Sequence, residues 1–302
     1  MSAVPDSCCF PSSLTTTGYI KLLKLQQDRQ DKSIACTLET VRLRDNPHYL
    51  ALSYIWGPLK AVALGTGPSL GHEESPWILC NEAVVKITRN LHDFLQRACS
   101  EPELCSQRFW IDSVCINQLD AQERCAQVSS MASIYRSADC VVAWLGEEEA
   151  DTETAFALIT KLANLSQDLL AKVIPKNFQS PDFKEILGPL ADDIVWEALR
   201  QFWRRSYFTR AWIIQELVLA RKSIVRCGQH VVDWNFVVRT SKFLTTTAWS
   251  RLFNSGIHDP TDPEYSHHAQ PLYIHVNSKM SSANSDRSLL LHYHPGTKVH
   301  IH

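Results

Sequence analysis

Apolar positions in this chain come in short blocks whose period switches between two and about three and a half, as expected for strands alternating with helices. Residues 20–25 (IKLLKL) and 33–41 (SIACTLETV) alternate around a polar run, which predicts a hairpin or two edge strands. Residues 49–56 (YLALSYIW) are nearly all apolar and stop at Gly57-Pro58, so this strand is expected to be covered on both faces. A glycine-bearing surface loop over 61–76 leads to a short strand at 77–80. A helix from Thr88 then carries Leu91, Phe94, Leu95 and Ala98 on one face, and residues 109–112 form a strand ending in the carboxylate of Asp112. Asp120 and Glu123 have capping-box spacing, after which Cys125, Val128, Met131, Ala132 and Tyr135 recur at helical intervals. That spacing puts Glu123 and Arg124 on the solvated side. Residues 140–145 (CVVAWL) are the next buried strand.

Strand, helix, strand, helix, strand between 49 and 145 predicts an α/β fold, doubly wound, with a mostly parallel sheet and helices on both faces. The acidic run Glu147-Glu148-Glu149, read as solvated, opens a helical stretch to about 171, and a proline-bearing linker follows over 175–189. Helices at 192–205 and 210–221 and a strand at 223–227 complete the pattern. The expected organisation is a flexible N-terminus (1–17), an N-terminal β extension (18–48), the main domain (49–234), a helical extension (235–254) and a poorly ordered tail (255–302). Most of the 12 histidines fall in that tail at irregular spacing, which reads as a disordered, truncated or misread end rather than a metal site.

Composition narrows the function classes. A net charge of -2 spread over 302 residues gives no basic field for nucleic acid. No stretch of 18 uncharged apolar residues or signal-like leader occurs, so a cytoplasmic protein without stable membrane insertion is expected. The ten cysteines lack metal-ligand spacing and read as reduced packing thiols.

Chemistry is expected where strands end. Asp112 stands at the carboxyl end of an apolar strand, the edge at which open α/β sheets place ligand contacts; the alternative is a cap for the following turn. Ser53, Tyr54 and Trp56 lie at the same edge of the preceding strand, with packing as the alternative for Trp56. Ser53 has no adjacent His/Asp pair and no G-x-S-x-G elbow, and Gly65-Thr66-Gly67 lacks a dinucleotide fingerprint.

The blocks Leu52-Ser53-Tyr54-Ile55-Trp56-Gly57, Trp110-Ile111-Asp112-Ser113-Val114-Cys115-Ile116-Asn117-Gln118, 127–135, Trp144-Leu145-Gly146 and Arg210-Ala211-Trp212-Ile213-Ile214-Gln215-Glu216-Leu217 resemble, in order, those of the heterokaryon incompatibility (HET) domain. That family is similar at a distance to TIR domains, which are flavodoxin-like signalling modules, some of them cleaving NAD. The resemblance implies a fungal cell-death or defence effector that needs no cofactor and works through self-association or an NLR-type recognition protein. Alternatives are an NAD glycohydrolase activated by self-association, with NAD as substrate, and a folded but silent pseudo-effector. Under the enzymatic alternative Glu216 matches the catalytic glutamate of cleaving TIR domains, although Ile213 replaces the motif's cysteine. Trp212, one helical turn earlier, would wall the nicotinamide. The competing reading makes Trp212 core and pairs Glu216 with Arg210, Arg221 or a backbone amide.

Overall fold

The alternating N-terminal segments pair antiparallel as β1 (Tyr19–Leu25) and β2 (Ala35–Arg42), in a computed structural model that describes Leu14 and residues 18–26, 33–57, 75–178, 180–210 and 213–250. Next come β3 (Leu50–Tyr54), β4 (Trp77–Cys80), β5 (Ala83–Lys86), β6 (Arg108–Trp110), β7 (Cys140–Trp144), β8 (Ser223–Cys227) and β9 (His230–Asp233). All nine join one sheet in the order β5-β4-β2-β1-β6-β3-β7-β8-β9. The stretch β6-β3-β7-β8 is parallel, and β7 is buried throughout because helices cover both faces. The N-terminal pair extends this sheet from within rather than as edge strands, since β4 and β5 add beyond β2. The period-two reading missed β5. Its hairpin turns on Asn81 and Glu82, both at positive φ (49° and 67°), without the glycine that signals such turns.

The helices are α1 (Arg89–Ser100), α2 (Pro102–Cys105), α3 (Asp112–Cys115), α4 (Ala121–Ser137), α5 (Thr152–Asn164), α6 (Gln167–Leu170), α7 (Pro181–Leu187), α8 (Asp193–Trp203), α9 (Ile213–Val218) and α10 (Trp234–Thr246). Helix α1 starts at Thr88, whose Oγ1 accepts from the Leu91 amide, and it buries Leu91, Phe94, Leu95 and Ala98 as its spacing predicts. Successive residues of β6 fix the layers. Phe109 meets Phe94 of α1 with ring centroids 5.6 Å apart, while Trp110, on the opposite face, meets Tyr135 of α4 at 5.3 Å. The helices that follow β3 and β6 therefore cover opposite faces of the sheet.

Several expectations are corrected. Helix α4 buries Glu123, Gln127, Ile134 and Tyr135, leaving Cys125, Val128 and Ala132 exposed. The cause is Lys21, a charge carried by buried β1. Glu123, fully buried, takes its Nζ at 2.8 and 3.0 Å and also accepts the amides of Leu14 and Asn117 at 3.0 Å. Asp120 still caps α4 through the amides of Gln122 and Glu123, so only the Asp half of the capping box forms. The acidic run is a loop before α5, where Glu147 and Glu148 hold Arg97 and Glu149 lies 4.0 Å from Arg205. Residues 175–189 are no linker, because α7 within them drives Phe183 and Leu187 into the core. Of the expected helical extension (235–254), α10 covers the part to Thr246 and packs on α5, and residues 251–254 lie outside the described residues. Arg210, where the sequence pattern begins a helix, is in extended backbone, and α9 is described over Ile213–Val218. The flexible N-terminus (apart from Leu14), the tail from 255 on and most of the 61–76 loop lie outside the described residues.

Candidate functional site

Because the chain runs from β3 to β6 on one side and then returns past β3 to β7, the order reverses at β3. The helices that follow β3 and β6 cover opposite faces, and the edge outside the carboxyl ends of these two strands is where open α/β sheets bind ligands. Three of the predicted residues follow β3 or end it, and Asp112 follows β6. Asp112 Oδ1 accepts from the Trp56 indole Nε1 at 3.2 Å and from the Ser113 amide at 2.8 Å, bridging the two strand ends. Asp112 is also the first residue of the short helix α3, whose N-cap is Ile111 and which carries no side-chain cap, so the capping alternative is not what the structure shows. Trp56 is 45% exposed, so its ring stands at the rim instead of in the core.

Ser53 faces α4 and α9, on the same side as Ala51 and its neighbour Trp110. Its hydroxyl bonds the Tyr207 hydroxyl at 2.6 Å and donates to Glu216 Oε2. Arg210 grips the same carboxylate with both terminal nitrogens, at 3.1 and 3.3 Å. Glu216 is 1% exposed, and its pairing with Arg210 is the competing role the sequence reading had allowed. Tyr54 points the other way. Registered beside Trp144, it lies on the α1 face, where its hydroxyl bonds Ser113 Oγ at 2.6 Å. The geometry thus joins Ser53 with Glu216 and Trp56 with Asp112, and separates Tyr54 from the first pair. Trp212 lies outside the described residues.

Burial, together with the nearby charge of Glu216, raises the Asp112 carboxyl from 3.8 to about 6, while Arg210, the Ser113 amide and Trp56 oppose the shift. Burial also pushes the hydroxyls of Tyr207 and Tyr54 well above their ordinary value. This edge therefore holds carboxylates of two kinds: Glu216 is buried and bonded by Ser53 and Arg210, and Asp112 is half-buried with its pKa raised to about 6. Among the described residues no three His, Cys, Asp or Glu side chains gather to hold a metal ion. Tyr207 and Arg210 were not named as site residues from the sequence. The available signal was their place in the closing block, a few residues before Glu216.

The profile of the heterokaryon incompatibility protein family matches residues 49–216, from β3 through the buried Glu216. The chain belongs to the HET family. A HET relative, heterokaryon incompatibility protein 6 (OR allele) of Neurospora crassa, is 28% identical over 272 residues. The alignment covers 82% of this chain and 39% of the relative, so the chain spans about two fifths of that protein's length. No solved structure matches the chain significantly. The β1–β2 pair lies outside the matched HET span yet sits inside the HET sheet.

The Asp112 shift has a testable consequence. Its pKa is higher in the folded chain than in the unfolded one. Its stabilising contribution is therefore complete below about pH 3.8 and is lost as pH rises through about 6. Asp112→Asn keeps the Oδ1 acceptor for Trp56 and Ser113. Denaturant unfolding should find the variant equal to wild type at pH 3.5 and more stable at pH 7.5; an equal gain at both pH values would contradict the assignment.

Proposed function

We propose that this HET chain is an effector or signalling module of the incompatibility response, a cytoplasmic protein that triggers cell death when it associates with further copies or with a recognition protein. Membership of the family and the printed name of the Neurospora relative support the role. Among the described residues no helix is long and apolar enough to cross a membrane, in keeping with action through protein contacts. One geometric observation carries the reading: Glu216 is buried and bonded by Ser53 and Arg210. A resting molecule sealed in this way is silent until association changes it.

A second reading, cleavage of NAD, is favoured by the charge balance at this edge of the sheet. With both carboxylates ionised, Asp112 and Glu216 outweigh Arg210, which suits the cationic nicotinamide ring, and exposed Trp56 offers that ring a flat wall. Once Arg210 swings aside, Glu216 would orient ribose hydroxyls and stabilise the oxocarbenium-like transition state while water replaces nicotinamide.

Nicotinamide release from NAD by the concentrated chain, measured beside viability of fungal cells expressing it, separates the readings. Under the effector reading, wild type and Glu216→Gln both reduce viability and neither releases nicotinamide. Under the enzymatic reading, wild type releases it and Glu216→Gln does so roughly 100-fold more slowly. Full viability with abundant folded wild-type chain would overturn the effector role.

A further inference from the structure

Two cysteines are direct partners in the sheet. Cys36 of β2 lies beside Cys80 of β4 in the parallel register, and both thiols are free and buried. Neighbouring strands run about 4.8 Å apart, within the roughly 4.4–6.8 Å between Cα atoms that a disulfide spans. The two thiols hydrogen-bond each other, which raises Cys36 and lowers Cys80 from the usual 9.0. Burial pushes the Cys115 and Cys99 thiols up, to about 12 and about 11. Among the described residues Cys80 is thus the thiol displaced toward the thiolate, the form that attacks an oxidant. Access follows from the strand pairing. β4 meets β2 over two residue pairs, and β4–β5 is the outer hairpin on that side among the described residues. Cys80 directly precedes the turn, where the Asn81 amide donates to the Cys36 carbonyl at 3.0 Å and Asn81 Oδ1 accepts the Leu38 amide at 3.1 Å. Local opening of so short a ladder bares both sulfurs together.

We infer that Cys36 and Cys80 form a reversible disulfide when the chain meets a two-electron oxidant of the peroxide class, and that this bond staples the β4–β5 hairpin to the N-terminal strand pair. The Cys80 thiolate attacks one peroxide oxygen, the O–O bond breaks, and the departing hydroxide takes up the proton Cys80 has lost. The Cys36 sulfur then attacks the Cys80 sulfenic acid, so that the S–S bond forms and the S–O bond breaks; the hydroxyl leaves with the Cys36 proton as a second water. One peroxide is reduced to two waters while two thiols are oxidised to one disulfide. The bond joins β2, outside the matched HET span, to β4 inside it. It also closes the chain between residues 36 and 80, which restricts the unfolded state and stabilises the sheet at this end.

Peptide mapping of the full native chain tests this bond: hydrogen peroxide is added and quenched, the remaining thiols are alkylated in urea, and the chain is digested. The fragments carrying Cys36 and Cys80 should be recovered joined, and dithiothreitol should separate them. Before digestion the oxidised chain should melt roughly 4–16 °C above the reduced one. Cys36→Ala and Cys80→Ala, each checked for folding by circular dichroism, should show neither the joined fragment nor the rise. The mapping uses wild type, so the outcome does not depend on either variant folding. Recovery of Cys36 and Cys80 as alkylated thiols, whether or not Cys99, Cys105 or Cys125 has oxidised, would overturn the inference. So would a link that forms only when peroxide is added in urea, or a linked chain that melts no higher than the reduced one.

Discussion

Lys21→Met is expected to be among the most destabilising single substitutions in the chain, at about 3–5 kcal/mol, because it leaves a buried carboxylate without its counter-charge. Lys21 and Glu123 are both fully excluded from solvent. In a domain of this size the loss corresponds to roughly 6–20 °C in melting temperature. The double variant Lys21→Met/Glu123→Gln tests the cause. Glutamine removes the charge and keeps an acceptor for one of the two amides, Leu14 on Oε2 or Asn117 on Oε1, while its NH2 faces the other, so part of the single-variant loss should return. Thermal unfolding of both variants measures this. A loss below about 1 kcal/mol for Lys21→Met, or a double variant no better than the single, would mean that the pair does not anchor β1.

That pair also explains why part of the fold was legible in the sequence and part was not. Where a side chain's character matched its burial, periodicity was enough: α1 buries the four residues its spacing selects, and the all-apolar run 140–144 became a central strand. Helix α4 defeated the same rule because its inward face is held by Glu123 and Gln127. Gln127 donates to the Tyr19 carbonyl at 2.9 Å, so both polar residues turn inward to serve β1. A pattern count scores such residues as solvated, since it cannot see that a strand a hundred residues earlier carries the matching lysine. The β4–β5 hairpin was hidden for a different reason: Asn81 and Glu82 adopt left-handed backbone without a glycine to announce it.

At the candidate site, the rule that chemistry gathers where parallel strands end put Ser53 and Asp112 at the carboxyl edge of the sheet, where the structure has them, and the register then divided them between partners. Ser53 and Tyr54 are neighbours in sequence, but successive strand residues face opposite ways, so only Ser53 reaches Glu216. Arg210 was visible as a possible partner for Glu216. Its bidentate grip depends on an extended residue six positions earlier folding back on α9, a relation that helical spacing does not encode.

Removing that grip should be the second large effect. With Arg210→Met, Glu216 keeps Ser53 but loses the one cation bonded to it among the described residues, at a position where the two side chains are 20% and 2% exposed. A loss of about 3–5 kcal/mol is expected, largely returned by Arg210→Met/Glu216→Gln, and urea unfolding gives both values. Stability alone would not distinguish a packing role from an electrostatic one, and Asp112 supplies the second readout. Arg210 lowers its pKa and Glu216 raises it. Carboxyl titration followed by NMR should therefore find Asp112 above about 6 in Arg210→Met and closer to 3.8 in Glu216→Gln. Opposite shifts from substitutions at the two ends of one ion pair are the signature of a shared field. If Asp112 moves the same way in both variants, the edge is coupled through packing, and the charge balance that favours a cationic ligand there loses its support.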